Sequence, residues 1–594
     1  MKTKYKNFYK SLILLFLWMG VFSSCEDYLD KAPEVEITES EVFSSFESFQ
    51  GYLEDVYQCV PDETLNTSAE ANWNFGDDVI CTFTQSLDYN FDRGNYWHWT
   101  SVSRSHFAGN LNNNNNSAKG VKGWWQGGWY GIRKCNIALA HLDDLKDATQ
   151  EQKDILAGQA YFFRALFHHE ILRAWGGIAY IDSVYAPSDI IRVPFLTYRE
   201  TAERVSADFA KAAQLLPADW DETQVGLATK GFNAGRATKL AAYGYLGKNL
   251  LYAASPLMNG VETGDYVYDT DLSRRAADAF LEVIKLVNQG YSGLEDWANY
   301  YRSFYNLQRN VPALSKEVLF NNPVYQVYKR WDYGDFFLTA LGAWGTFSAP
   351  TQNYVERFGM ANGLSIDESD SGFDPSNPWV NRDPRFYYNI EYDGVRIVQK
   401  YENVDTYAQY YTGGRHRDSK NSLTGYGYKK FKHVTCNKYD NGWANVYGYE
   451  NPDLRLADVY LMYAEAVNEA YGPTGSAQGG PTAVEAVNII RNRAQLPDVD
   501  SRYYATKEKF REFLRDERAV ELAFEGHRWH DLRRWYIAHL PEYREKYALD
   551  FDKNHTYFNR TLFITRVFDP KHYWLPFPTD QVNLYPEFKQ NPGW

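Results

Sequence analysis

The chain has 594 residues, a formal net charge of −14 and an aromatic content of 17%, from 35 Phe, 18 Trp and 48 Tyr. So many large apolar side chains exclude a disordered chain, which buries too little surface to offset its conformational entropy. The acidic balance, with a pI near 5.4, gives no basic field to attract nucleic acid, and a mean hydropathy of −0.55 excludes a polytopic membrane protein.

Residues 1–24 read as a leader and not as part of the fold. Lys2, Lys4, Lys6 and Lys10 form a positive n-region, Ser11 to Phe22 is apolar, and Ser23 and Ser24 precede Cys25. That is the layout of a secretory signal, and the apolar run falls short of the roughly 20 residues a spanning helix needs. The placement of Cys25 resembles the bacterial lipoprotein cleavage box, although Phe22 stands where that box usually has Leu. The resemblance implies that Cys25 becomes the acylated first residue, and several acyl chains on one cysteine anchor a protein stably. Loss of the leader lysines makes the exported chain still more acidic. Glu26, Asp27, Asp30, Glu34 and Glu36 follow Cys25 and resemble the surface-export signal of Bacteroidetes lipoproteins. Cys59, Cys81, Cys135 and Cys436 are too few and too far apart for a disulfide framework or a CxxC metal site. A single Cys59–Cys81 bridge stays open.

Asn136 to Leu145 and Glu151 to Trp175 read as a helix pair. In the second, Ile155, Gln159, Phe162, Phe163, Leu166, Phe167, Ile171 and Leu172 recur near helical spacing, and Gly176-Gly177 stops it. Tyr198 to Leu216, Gly235 to Ala254 and Ser273 to Gln289 follow as further helices. Helix pairs with small residues at crossing positions predict a mainly α fold of stacked, tetratricopeptide-like hairpins. Residues 291–450 break the pattern. Gly, Tyr, Asn and Asp dominate there, and irregular stretches this long are uncommon unless functional. The helical period returns at Leu454, with Leu456, Tyr460, Tyr463, Val467 and Ala470 on one face. Val484 to Ala494 and Lys507 to Phe524 continue it, and the chain ends extended and Pro-rich. The divisions are therefore 1–24, an N-terminal helical part 25–255, and a C-terminal part 256–594 that carries the loop-rich insert 291–450.

The last third holds an ordered set of motifs. Arg455-Leu-Ala-Asp-Val-Tyr-Leu-Met-Tyr-Ala-Glu-Ala-Val-Asn468 is followed by Ala486-Val-Asn-Ile-Ile-Arg-Asn-Arg-Ala494. Then come Arg515-Asp-Glu-Arg-Ala-Val-Glu-Leu-Ala-Phe-Glu-Gly-His-Arg-Trp-His-Asp-Leu-Arg-Arg-Trp535, Tyr573-Trp-Leu-Pro-Phe-Pro578 and Gln590-Asn-Pro-Gly-Trp594. This set closely resembles the RagB/SusD family of outer-membrane lipoproteins. Trp129-Tyr130 with Asn136, and Ala160-Tyr-Phe-Phe-Arg-Ala165 through Trp175-Gly-Gly177, resemble the family's first helix pair. The resemblance implies four tetratricopeptide-like helix pairs supporting a loop-rich portion, and binding of glycans at the cell surface. It also implies a SusC-like, TonB-dependent outer-membrane transporter as partner, an outer-membrane location through the lipid anchor, and neither catalytic residues nor a cofactor.

The motifs themselves read as scaffold. Glu517, Glu521 and Glu525 fall at i, i+4 and i+8, a repulsive stack unless cations answer it. Arg515, Arg518 and Arg528 are the expected answer. His527 and His530 lack an HExxH pattern, so no metal site is predicted. Of His168 and His169, one is expected in the core and the other in solvent.

Sugar binding needs an aromatic face for the C–H side of the ring and a polar rim for its hydroxyls. Three segments offer both. Trp73 stands near Asp77 and Asp78. Trp97 and Trp99 are two residues apart and share a face if the chain is extended, so replacing both with Ala is expected to abolish binding and spare the fold. Tyr300 precedes Trp331 and Tyr333. Trp124, Trp125 and Trp129 abut the first helix and read as core. Two other classes remain. One is a surface glycoside hydrolase using Asp77 and Asp78, although neighbours in sequence usually point apart and hydrolases need carboxyls facing across a cleft. The other is a peptide-binding or structural lipoprotein built on helical grooves.

Overall fold

The computed structural model describes residues 39–61, 73–101, 107–108, 123–186, 189, 192–306, 315–322, 345–401, 404–435, 448–449, 451–584 and 588–594. Cys25, Trp331, Tyr333 and Cys436 lie outside the described residues.

Among the described residues, the helices that carry the fold include α1 (Phe46–Tyr57), α2 (Trp124–Ala140), α3 (Gln150–Trp175), α4 (Tyr198–Leu215), α5 (Lys239–Ala254), α6 (Thr270–Asn288), α7 (Leu456–Tyr471), α8 (Ala483–Arg493), α9 (Lys507–Glu521) and α10 (His527–Arg534). Their starts are written locally. Thr149, Thr197 and Thr482 each close a capping box with Gln152, Glu200 and Glu485, which satisfies amide groups that the first turn leaves without partners.

α2 begins well before the expected Asn136. Gly127, Gly128 and Gly131 hide it, because glycine disfavours helix interiors. They are there for packing. A Cβ on Gly131 would overlap the Phe167 ring of α3, and one on Gly128 would lie 3.0 Å from Ile171. α9 ends at Glu521, short of the expected Phe524. Phe524 (φ 63°) and Gly526 (φ 81°) take left-handed backbone there and turn the chain into α10.

α2 packs on α3, α4 on α5 and α6 on α7, and α8 and α9 both pack against α7. The third pair is split: α6 and α7 lie side by side although the whole insert separates them in sequence. One large core runs through these pairs, with Phe162, Phe163, Phe167, Trp175, Tyr245 and Phe280 among its rings. The insert builds a second, smaller core from Tyr300, Phe304, Phe386, Tyr410 and Phe431, joined by Trp73 from the N-terminal part and closed by Ala519, Val520, Ala523 and Phe524 at the end of α9. Short antiparallel pairs frame it, including β1 (Val79–Cys81) with β2 (Ser348–Pro350) and β3 (Glu545–Phe551) with β4 (Phe558–Thr565).

Buried ion pairs join the two cores. Glu517 and Glu521 of α9, and Glu525 just beyond its end, are answered mostly by residues remote in sequence, not by the expected arginines. Glu517 is held by Arg385 (2.5 Å) and Arg491 (3.0 Å). Glu521 is held by Arg455 (2.9 Å) and Arg493, and Glu525 by Arg455 (2.7 Å) and Lys430 (2.5 Å). Arg518 turns instead to Asp458 (2.5 Å) and Asp531 (2.7 Å), and Arg528 to Asp77. Both His168 and His169 are fully buried, which corrects the expectation of one in solvent. His168 contacts the Arg164 carbonyl through Nδ1, and its Nε2 accepts from the Ile181 N–H. Among the described residues no group of His, Cys, Asp and Glu is arranged to hold a metal ion. Cys59, Cys81 and Cys135 are buried and not in disulfides, so Cys59 and Cys81 form no bridge.

Candidate functional site

The structure places most of the predicted site residues inside the molecule. Trp73 is 4% exposed and its indole N–H donates to the Phe524 carbonyl (2.9 Å). Tyr300 is fully buried, and its hydroxyl donates to the Glu521 carbonyl (3.2 Å). Phe431 and Phe304 stand between the two rings in a chain of edge-on contacts, so Trp73 and Tyr300 share the second core without touching each other in it. A ring packed on both faces has no face for a sugar. Asp77 is buried under a two-pronged contact with Arg528 (2.6 and 2.9 Å). Burial alone would push its carboxyl up, but the guanidinium overrides that and holds it well below the usual carboxylate range. Asp78 is buried beside it, so this pair does not line a cleft.

Tyr96–Thr100 is a 3₁₀ helix and not the extended segment expected. With three residues per turn, positions two apart point in different directions. Trp99 therefore turns inward at 2% exposure, donating to the Pro576 carbonyl (3.1 Å) and packing edge-on against Trp175 (5.0 Å). Trp97 turns outward, half-buried, and meets the C-terminal Trp594 ring edge-on at 6.1 Å.

Trp97 is joined through its neighbour His98 to a turn with exposed amides and hydroxyls. The His98 ring contacts the Gln85 carbonyl (2.9 Å), which ties the 3₁₀ helix to the turn after β1. In that turn Phe83 is half-buried and packs at 5.3 Å against Phe347, just before β2. Thr84, Gln85, Arg93, Asn95 and Ser101 are exposed between the rings. The Arg93 guanidinium stacks 3.4 Å from the Tyr89 ring, which fixes its direction. Phe347 has left-handed backbone, with φ of 52°. A bulky residue takes that conformation only when its surroundings impose it. Here the Phe347 N–H donates to the Lys420 carbonyl (3.0 Å), and the Thr82 N–H donates to the Phe347 carbonyl (2.7 Å). The sequence reading singled out Trp97 but neither Phe83 nor Phe347. No motif marks them, and a positive φ at a phenylalanine has no sequence signal.

Among the described residues, two larger concavities lie elsewhere. An apolar groove of about 320 Å³ between α2 and the segment after α3 is lined by Trp125, Trp129, Phe195 and Phe588, with few polar groups. A cleft of about 670 Å³ beside β4 has a mixed, strongly charged wall. The face around Trp97, Phe83 and Phe347 combines half-buried rings with exposed amide, hydroxyl and guanidinium groups.

Comparisons with known proteins agree with the fold. Residues 319–594 match the profile of the SusD family, and residues 27–251 match a profile described as "Starch-binding associating with outer membrane". SusD-like protein P2 of Formosa agariphila is 24% identical over 421 residues, covering 70% of this chain and 71% of the relative. SusD-like protein P38 of the same organism is 22% identical over 543 residues, covering 89% and 92%. Among solved structures, a SusD-like protein from Bacteroides fragilis superposes with a TM-score of 0.71 at 24% identity, covering 95% of this chain and all of that one. A SusD-like carbohydrate binding protein from the same species superposes at 0.66 and 21% identity, covering 92% and 99%. The two profiles between them take in residues 27–251 and the motif-rich stretch 319–594, and the chain belongs to the SusD/RagB family.

Proposed function

We propose that this protein is a lipid-anchored carbohydrate-binding subunit at the outer surface of the outer membrane. It holds oligosaccharide on the face around Trp97, Phe83 and Phe347 and passes it to a TonB-dependent transporter. Membership of a family that includes carbohydrate-binding proteins supports the ligand class. The observation that carries the site is the interleaving of half-buried rings with exposed amide, hydroxyl and guanidinium groups between Thr82 and Ser101. Each ring stacked on a sugar is worth about 1 kcal/mol, by analogy with aromatic pairs. Two or three stacks and a few hydrogen bonds, less ordering costs, leave roughly −4 to −7 kcal/mol. That corresponds to dissociation constants from about millimolar to about ten micromolar, weak enough for release to a transporter. Attachment to the membrane rests on Cys25 in this reading.

Calorimetry of the purified protein against plant, host and microbial polysaccharides, with product analysis of the same mixtures, tests the proposal. Saturable binding of one glycan class without turnover is expected. Specific cleavage, or no glycan bound at all, contradicts it.

A further inference from the structure

The apolar groove beside α2 is built from two kinds of spacing. Trp125, Trp129, Ile132 and Arg133 fall on one face of α2, and all four line the groove. Every second residue from Ala179 to Tyr185 lines the facing wall, the alternation of a chain that runs extended. Phe195 and Phe588 complete the lining, their rings 4.5 Å apart.

The walls are held in place. Asn136, one turn beyond Arg133 on α2, donates through Nδ2 to the carbonyls of Ile181 (3.1 Å) and Ser183 (3.2 Å). Its Oδ1 accepts in turn from the buried Arg164 (2.9 Å). Trp125 packs edge-on against Trp129 (5.8 Å) and lies 4.9 Å from the buried Trp175 ring. At about 320 Å³ the space falls within the range of about 300–1,000 Å³ of small-molecule sites, which are mostly apolar, preformed and fitted with a few placed polar groups.

One charge is placed here. Arg133 is the single charged residue of the lining, and no Asp or Glu stands in it. Arg133 is exposed as well as lining, so it stands where the groove meets solvent. Its guanidinium donates to the Tyr185 carbonyl on the facing wall (2.6 Å), and among the described residues it has no carboxylate partner. Asp182 and Asp189, the acidic residues of the facing segment, do not line the groove: Asp182 accepts from the Ser183 hydroxyl (3.2 Å) and Asp189 from the Ala186 N–H (2.7 Å).

We infer that this groove binds a compact apolar carboxylate, an aryl-substituted acid of the cinnamate kind. Its ring packs among the indole and phenyl walls in offset or edge-on contacts. Its carboxylate takes the guanidinium N–H groups that Tyr185 leaves open, a charge-assisted contact. A sugar finds few partners for its hydroxyls on these walls, and an organic cation meets Arg133. The net charge of −14 acts from a distance and is screened beyond about 8 Å at physiological salt, so the contact with Arg133 decides the sign.

Calorimetry of the purified protein with trans-cinnamate, cinnamyl alcohol and acetate tests this. Cinnamate is expected to bind with a dissociation constant below about 1 mM. The neutral alcohol should bind about tenfold or more weakly, and acetate, with no apolar body, not at all. Arg133→Gln should bring cinnamate down to the level of the alcohol and leave the alcohol unmoved. Val193→Trp, which fills the groove from a half-buried lining position, should abolish both. Thermal midpoints near that of the wild type show that each variant folds. Absence of cinnamate binding, equal affinity for the alcohol, or full cinnamate affinity in Arg133→Gln overturns the assignment. Loss of cinnamate binding in a Phe83→Ala, Phe347→Ala variant would move it to the other face and overturn it as well, and decanoate binding more tightly than cinnamate would overturn the aryl class.

Discussion

Asp78 is a carboxyl with no partner for its charge. It is fully buried, and no other described residue donates to either oxygen. Burial first, and the adjacent Asp77 charge second, push it from 3.8 up to about 6. Asp88, also buried, is raised to about 6, chiefly by burial. A carboxyl with a raised value contributes stability in full below its unfolded value near pH 4, and loses that contribution as pH rises through about 6. Asp77, held low by Arg528, works in the opposite sense, and its contribution is lost only in strong acid. The stability of the wild type relative to Asp78→Asn should therefore rise by up to about 3 kcal/mol between about pH 8 and about pH 4. Urea titrations at both pH values measure this, and a difference that does not move with pH contradicts it. The two tryptophans of the 3₁₀ helix part company in the same manner. Trp99→Ala should cost about 3–5 kcal/mol as a large core truncation, and Trp97→Ala almost nothing. Two indoles at adjacent alternate positions were legible in the sequence. That one is core and the other surface was not, because it depends on a 3₁₀ turn set by contacts with Pro576 and Trp175.

At the scale of elements, periodicity and caps read most of the scaffold. α3, α4 and α7 lie within a residue or two of where the spacing puts them. The misses have physical causes. Glycines that admit Phe167 and Ile171 mask the start of α2, and β3–β4 sits in a tail read only as extended. Glu517 and Glu521 of α9, with Glu525 just beyond its end, show most plainly what spacing leaves out. Their stacking at i, i+4 and i+8 announces a need for cations, but Arg385, Arg455, Arg491 and Arg493 arrive from other elements. Arg455 is the hub: its guanidinium meets Glu317 (2.7 Å), Glu521 (2.9 Å) and Glu525 (2.7 Å), all fully buried. Arg455→Ala strands those charges and should cost at least about 3–5 kcal/mol. Arg455→Lys should recover little of it, since an ammonium cannot reproduce the planar fork. Denaturant midpoints decide this, and a loss under about 1 kcal/mol for Arg455→Ala contradicts the network's role.

Across the whole molecule, the two helices of the third pair are separated by the insert and reunited in space. That topology lets a rigid helical stack carry an irregular portion whose edges converge on one face. Phe83 comes from one end of the chain and Phe347 from the insert. The resemblance to the family announced a glycan site, but only the fold brings these two rings together. The acidic net charge of −14 favours an uncharged, hydroxyl-rich ligand over a polyanion, so neutral polysaccharides should outrank uronate or sulfated ones at low salt. The central claim is that the rings of this face bind sugar. Calorimetry of the Phe83→Ala, Phe347→Ala double variant against the glycan that binds the wild type tests it most directly. Loss of two stacks of about 1 kcal/mol each should weaken binding about thirtyfold, with the thermal midpoint nearly unchanged. Wild-type affinity in a folded double variant would contradict it.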